Sequence, residues 1–372
     1  MIRIRILRGP GGITVRGSGD FNRNNLDCLR LILASMVVLQ HNLALTGFAA
    51  FSAFGHFPGF FAVRAFFVIS GLLIYRSYTR SSSVASYLEK RVRRIYPAYF
   101  TVVVVAAIAF WPLRTLPSSQ YFGVGFWKYL GANLAFLNFV APSLPGVFSS
   151  NIETAVNGAL WTLKIEVAFY LFVPIMHYLC GRFGTRRIVG ISFCISCLWK
   201  YGFAFLDYMT RLRGIHSIDG SHSIYYKLEN QFPAQLAYFL MGILLLLYFD
   251  RLKLHFRAIA CVTVCLFLLD QWFMRGALDI LWITGLVFVF GFWRYFGNFA
   301  KYGDFSYGVY IVHWPILQTM VFFGLTRLPP VVFLLLSLFL VGLAAILMWH
   351  LVESRFLKSS SHYRQVSQKA LA

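Results

Sequence analysis

Acidic side chains are scarce in this sequence. Only 13 Asp and Glu stand against 34 Lys and Arg among 372 residues, a formal net charge of +21. Charge of either sign is sparse at 13%, where soluble domains carry roughly 25%. With 59% hydrophobic residues and a mean hydropathy of +0.67, the chain holds more apolar side chain than one soluble core absorbs, which indicates a polytopic membrane protein. Alternating segments of about ten residues are missing, so the spans are expected to be helices and not strands of a barrel. The excess of positive charge does not indicate a nucleic-acid binder. Basic residues sit in short clusters between apolar stretches, the pattern of topology determinants. The six cysteines (Cys28, Cys180, Cys194, Cys197, Cys261 and Cys265) all lie in or beside apolar stretches. The CxxC of Cys194 and Cys197 has no second pair or His cluster near it, so the cysteines read as small apolar residues and no metal is expected. Residues 1–25 carry Arg3, Arg5, Arg8, Arg16 and Arg23 without an apolar run, which predicts a disordered basic arm and not a cleavable signal peptide.

What is present is a series of apolar stretches. They predict ten spans, near 26–46, 60–78, 97–113, 159–180, 187–206, 232–249, 257–273, 278–293, 305–324 and 331–352. An interrupted apolar piece near 126–140 is rejected as a full span, because an eleventh crossing would carry the later basic loops outside. With the N-terminus inside, 24 of the 34 basic residues fall on the cytoplasmic side. The expectation is an all-α membrane protein of about ten transmembrane helices with both termini cytoplasmic. Residues 1–25 form the arm, 26–353 the membrane domain and 354–372 a cytoplasmic tail, with longer outer loops at 114–158 and 207–231.

The first apolar stretch, LDCLRLILASMVVLQHNLALT, contains Arg30 and His41. On a helix eleven residues turn through roughly 1100° and climb ~16 Å, which leaves both side chains on one stripe. A guanidinium and an imidazole on one stripe of a membrane helix need a polar interior to face. In this topology His41, Arg64 and Glu166 share one depth near the outer boundary. For His41 the plainer alternative is a hydrogen bond to a neighbouring carbonyl; for Glu166 it is a buried ion pair with Arg64, since Lys164 points about 200° away on the same helix. His313, just before Trp314 and Pro315, is either a packed residue at a kink or a direct participant. Lys90, Arg91, Arg93 and Arg94 precede Pro97 and are either a topology anchor or, with Arg30, a mouth for a phosphate-rich ligand. Asn157 and Trp161 close the first outer loop and are candidates for a substrate mouth.

Five stretches then carry a likeness: LDCLRLILASMVVLQH (26–41), FFVISGLLI (66–74), KRVRRIYPAYF (90–100), NGALWTLKIEVAFYL (157–171) and GDFSYGVYIVHWPI (303–316). In this order they resemble the bacterial acyltransferase 3 family, integral membrane O-acyltransferases of O-antigen, exopolysaccharide and nodulation factors. The family's basic residue, ten positions, then His falls on Arg30 and His41, its FFxxSG on Phe66, Phe67, Ser70 and Gly71. Its RxxR falls on Arg91 and Arg94, and its WSLxxE on Trp161, Leu163 and Glu166, with Thr162 for Ser. Arg64 stands where many members have Asp, so no role is carried over from that Asp. The resemblance implies acyl transfer from cytoplasmic acyl-CoA, most simply acetyl-CoA, to a saccharide or lipid-linked saccharide in a bacterial inner membrane. It places Arg91, Arg94 and Arg30 on the CoA phosphates and His41 as general base or as acyl carrier. Glu166 would orient His41, and Arg64 or Ser70 would stabilise the oxyanion. No permanently bound cofactor is implied. The alternative is a transporter or flippase for a glycan, but the paired half-helices or two-fold repeat it would favour are not visible in the hydropathy pattern.

Overall fold

The structure is a computed structural model that describes residues 21, 23–51, 59–213, 223–274, 276–358 and 361. The expected arm up to residue 20, residues 214–222 of the second outer loop and most of the expected tail lie outside these. Among the described residues every regular element is helical. The principal helices are α1 (Leu26–Thr46), α2 (Gly59–Thr79), α3 (Val84–Ala109), α4 (Val124–Leu134), α5 (Leu163–Phe183), α6 (Thr185–Leu212), α7 (Phe232–Leu247), α8 (Phe256–Leu269), α9 (Asp279–Phe292), α10 (Ser306–Phe322) and α11 (Pro330–Met348).

Eight of the described helices are long and apolar enough to cross a membrane. Two more of the expected spans appear as α9, of 14 residues, and α10, of 17. At ~1.5 Å per residue these cover about 21 and 26 Å, somewhat less than a hydrocarbon core of about 30 Å. The piece near 126–140 forms α4, whose 11 residues reach only about 16 Å before the chain turns.

One boundary differs from the sequence reading. The third span was expected to begin at Pro97 after a basic loop, yet α3 is one helix with Pro97 inside it. A proline removes a single backbone hydrogen bond, which membrane helices tolerate. The segment before it is helix-favouring, and Arg93 Nε donates to Glu89 Oε1 at 2.9 Å across one turn. Arg91 and Arg94 are therefore fixed on a helix and not on a loop.

The chain divides into two compact units. The first comprises Met1–Leu26, Arg64–Tyr87 and Ile165–Tyr295, and the second Asp27–Val63, Leu88–Lys164 and Phe296–Ala372. In the first, α2 and α7 touch backbone to backbone. A Cβ at Gly71 would lie 1.9 Å from the Phe239 carbonyl oxygen, and one at Gly242 would lie 1.9 Å from that of Val68. Small residues let membrane helices approach this closely and gain dispersion contacts where lipid removes the hydrophobic drive. The Phe169 ring seals the contact, stacked 4.2 Å from Phe239 and edge-on to Phe67 at 5.3 Å. In the second unit α10 and α11 pair less tightly, a Cβ at Gly308 falling 3.1 Å from Ala345.

Gly71→Ala is expected to lower the thermal midpoint of the detergent-solubilised protein, because the added methyl forces the helices apart at a cost of about 1–3 kcal/mol or more. Gly190→Ala in α6, where a Cβ meets nothing within 4 Å, should leave the midpoint unchanged or raise it.

Candidate active site

In the second unit α1 and α10 lie side by side with their chains running the same way, cross-linked at two levels. At one level His41 Nδ1 lies 2.7 Å from His313 Nε2, the ring planes within 5° of each other. The edge of Trp314 meets the His41 ring at a centroid distance of 4.7 Å. His313 is fully buried and its Nδ1 lies 3.1 Å from the Val309 carbonyl oxygen. A carbonyl only accepts, so the proton of neutral His313 belongs on Nδ1 and its Nε2 carries a lone pair. His41 Nδ1 must then be the donor, which leaves His41 Nε2 unprotonated on a half-buried ring. This is the arrangement of an oriented general base.

The sequence around His313 shows why it sits there. Pro315 has no N–H, so the Ile311 carbonyl four residues earlier loses its helical partner. Asn157 Nδ2 donates to that carbonyl at 2.8 Å, while Asn157 Oδ1 accepts from Ala159 N and caps the turn Gly158–Thr162. The next residue is glycine because the Trp314 ring occupies the space a side chain would need, a Cβ at Gly158 falling 2.5 Å from it. Trp314 Nε1 donates to the Ala155 carbonyl at 3.0 Å, and Gln318 Nε2 to the carbonyls of Glu153 and Ala155. The segment from Glu153 to Asn157 is thus hydrogen-bonded along α10. Asn157 was a candidate for the substrate mouth; both ends of its buried amide are engaged by the protein, and it acts as a brace for the helix that carries His313. Trp161 is half-buried beside it in sequence.

At the second level Arg30 Nη1 donates to Asp304 Oδ2 at 2.5 Å, and Arg94 Nη2 from α3 donates to the same oxygen at 2.5 Å. Arg94 Nη1 reaches Glu353 Oε2 at 2.8 Å. Asp304 Oδ1 accepts from Ser306 Oγ at 2.5 Å and from Ser306 N at 3.3 Å, at the start of α10. The turn before it requires Gly303, whose φ is +137° and against which the Trp349 ring packs. Burial opposes ionisation of Asp304, but the Arg30 and Arg94 guanidiniums and the Ser306 hydroxyl outweigh it and hold the carboxyl at about 2. Asp304 is therefore an anion throughout the physiological range. Arg30 and Arg94, expected as grips for donor phosphates, already hold carboxylates, while Arg91 sits half-buried one turn from Arg94.

The remaining candidates belong to the first unit. Ser70 Oγ donates to Glu166 at 3.0–3.1 Å, which commits the hydroxyl hydrogen the sequence reading offered to an oxyanion. The expected guanidinium–carboxylate pairing of Arg64 does occur, but with Asp279, at 2.5 Å. Asp279 is shared with Lys200 Nζ at 3.0 Å and the Tyr238 hydroxyl at 2.7 Å. The orienting partner of His41 Nδ1 is His313, where Glu166 was expected. Asp304, Glu353, Asp279 and Lys200 were not singled out. The scarcity of acid was the available signal: a buried carboxylate beside buried cations, as at Asp304 and Asp279, offsets their charge.

The acyltransferase 3 family, described as an acyltransferase domain, matches residues 23–349. The chain belongs to this family. It is 28% identical over 358 residues to an O-acetyl transferase of Shigella phage Sf6, covering 91% of this chain and 97% of that protein. It is 25% identical over 332 residues to nodulation protein 10 of Rhizobium leguminosarum bv. viciae, covering 82% and 85%. With O-acetyltransferase OatA of Staphylococcus aureus it shares 24% identity over 341 residues, 80% of this chain and 52% of that protein. No solved structure matches. The protein is accordingly a multi-pass membrane O-acyltransferase.

Asn157→Asp keeps the cap but sets a carboxylate against the Ile311 carbonyl. It is expected to lower thermal stability by an amount comparable to Asn157→Ala, about 1–3 kcal/mol for the carbonyl left without its donor, read as a shifted melting midpoint in detergent.

Proposed function

We propose that the protein transfers an acetyl group from acetyl-CoA to a hydroxyl of an exported or cell-surface saccharide, with His41 Nε2 as the general base. The observation that carries this reading is the His41–His313 hydrogen bond, whose proton arrangement leaves a lone pair on His41 Nε2. The likeness to two proteins named O-acetyltransferases supports the acetyl group. The resemblance in the five sequence stretches supports the CoA donor and the saccharide acceptor.

In this reaction the acceptor hydroxyl gives its proton to His41 Nε2 as its oxygen attacks the thioester carbon. The carbon–sulfur bond then breaks, and the CoA thiolate takes the proton back from His41. His313 keeps its lone pair on His41 Nδ1–H and steadies the imidazolium in between, the orienting part that a carboxylate plays in triads. The donor enters from the cytoplasmic side, its phosphates drawn by the positive charge of Arg91 beside Arg30 and Arg94. The pantetheine arm follows α1, whose stripe climbs ~16 Å from Arg30 to His41. We assign the oxyanion neither to Ser70 nor to Arg64, since each is engaged by a carboxylate. The inner membrane, about ten spans over residues 26–353 and two cytoplasmic termini complete the proposal.

His41→Ala should abolish acetylation of surface glycan, measured as saponifiable acetate, while its amount in the membrane stays normal; retained acetylation would refute the mechanism. His313→Gln should lower the rate by about 10²–10⁴-fold, the usual range for general base catalysis. Arg91→Gln should raise the KM for acetyl-CoA with little change in kcat. Arg94→Gln is the poorer test, because it takes the partner of buried Glu353 and one of the two cations at Asp304.

A further inference from the structure

We infer that Asp304 is a positioning residue for the His41–His313 pair. The inference rests on the proposed function above, in that it takes His41 as the base. Three segments meet at this one carboxylate. Its Oδ2 takes Arg30 of α1 and Arg94 of α3, and its Oδ1 takes the hydroxyl and backbone N–H of Ser306, the first residue of α10. The same two helices, α1 and α10, meet again at the base. From Arg30 to His41 the chain rises ~16 Å, and from Ser306 to His313 about 10 Å, with Asp304 spanning the difference from its turn ahead of the helix. Parallel helices pinned at two heights cannot slide or rotate independently. Without the lower pin, a slip of α10 by one residue moves His313 by ~1.5 Å and 100°, far beyond what a 2.7 Å hydrogen bond survives.

A charge placed only to balance two arginines would not need this geometry. Glu353 supplies charge to Arg94 through one oxygen, and its second oxygen meets no partner. Asp304 uses both oxygens, and the second goes to the helix that carries His313. The carboxylate also offsets the charge of Arg30 and Arg94, so its loss leaves more positive charge there for anions. A purely donor-binding role and a positioning role therefore move the kinetics in opposite directions.

The test is acetyl-CoA-dependent acetylation by membranes that carry the full chain and the native glycan, with rates normalised to folded protein. Asp304→Asn should lower kcat by about tenfold or more without raising the KM for acetyl-CoA. In a His313→Gln background the same substitution should change kcat by no more than about twofold, because the geometry it protects is already lost. Ser306→Ala, which keeps every charge, should lower kcat by about threefold and likewise lose its effect beside His313→Gln. It decides the matter where Asp304→Asn does not accumulate. Unchanged kcat in both variants, effects that multiply with His313→Gln, or a raised KM at constant kcat would each overturn the inference. Activity remaining in His41→Ala would instead defeat the proposed function, whatever Asp304→Asn does.

Discussion

The structure depends on how buried charge is neutralised with few acids. Moving an ion from water into a membrane protein's interior costs several kcal/mol even after relaxation, and an unpaired one is seldom tolerated. Acids are few, 13 against 34 basic side chains, and two of the buried ones are each shared between two cations. Asp304 serves Arg30 and Arg94 in one unit, and Asp279 serves Arg64 and Lys200 in the other. A shared carboxylate ties together helices that could otherwise satisfy their charges separately. Neutralisation thereby becomes architecture, which explains why these residues recur where segments distant in sequence meet.

The His41–His313 pair contains no carboxylate. His41 is oriented by a neutral imidazole, and that imidazole by a backbone carbonyl. The contrast with a Ser-His-Asp arrangement is electrostatic. A carboxylate behind the base would stabilise the imidazolium and also hold a permanent charge in the apolar interior. Two neutral rings and a carbonyl fix the same tautomer without that cost, and they stabilise the imidazolium less. In the transfer from a thioester that we propose, this is a suitable compromise, because the departing thiolate would need the proton back at once and the base would hold it only briefly.

Much of this was legible in the sequence, within a definite physical boundary. The eleven-residue interval between Arg30 and His41 fixes a stripe on a helix, and both residues do face polar partners. Helical periodicity is local, so it gives a face and a height but not the neighbour across the gap. The partners are 274 and 272 residues away. The pairing guessed for Arg64 illustrates the limit: depth placed Glu166 level with it, while the azimuth that selects Asp279 is set by tertiary packing. The α3 boundary failed for another reason, since a proline was read as a start where a membrane helix absorbs it. The Asn157 bond to Ile311 was not legible because a loop asparagine beside a glycine looks the same whether or not it meets a stranded carbonyl.

That last ambiguity bears on how the loop before Trp161 is tied to α10. Pro315 leaves the Ile311 carbonyl two residues from His313 without a helical partner, a defect that would be expensive in lipid. Asn157 repairs it from the loop, Gly158 makes room for Trp314, and Trp314 in turn braces the His41 ring. The defect is therefore what joins the loop to the base. A regular helix over the same residues would have satisfied its own carbonyls and left the loop nothing polar at Ile311 to hold. An irregularity in α10 gives the loop and the imidazole pair a common support, so a substrate that orders this loop acts on the same residues that hold His41 in place.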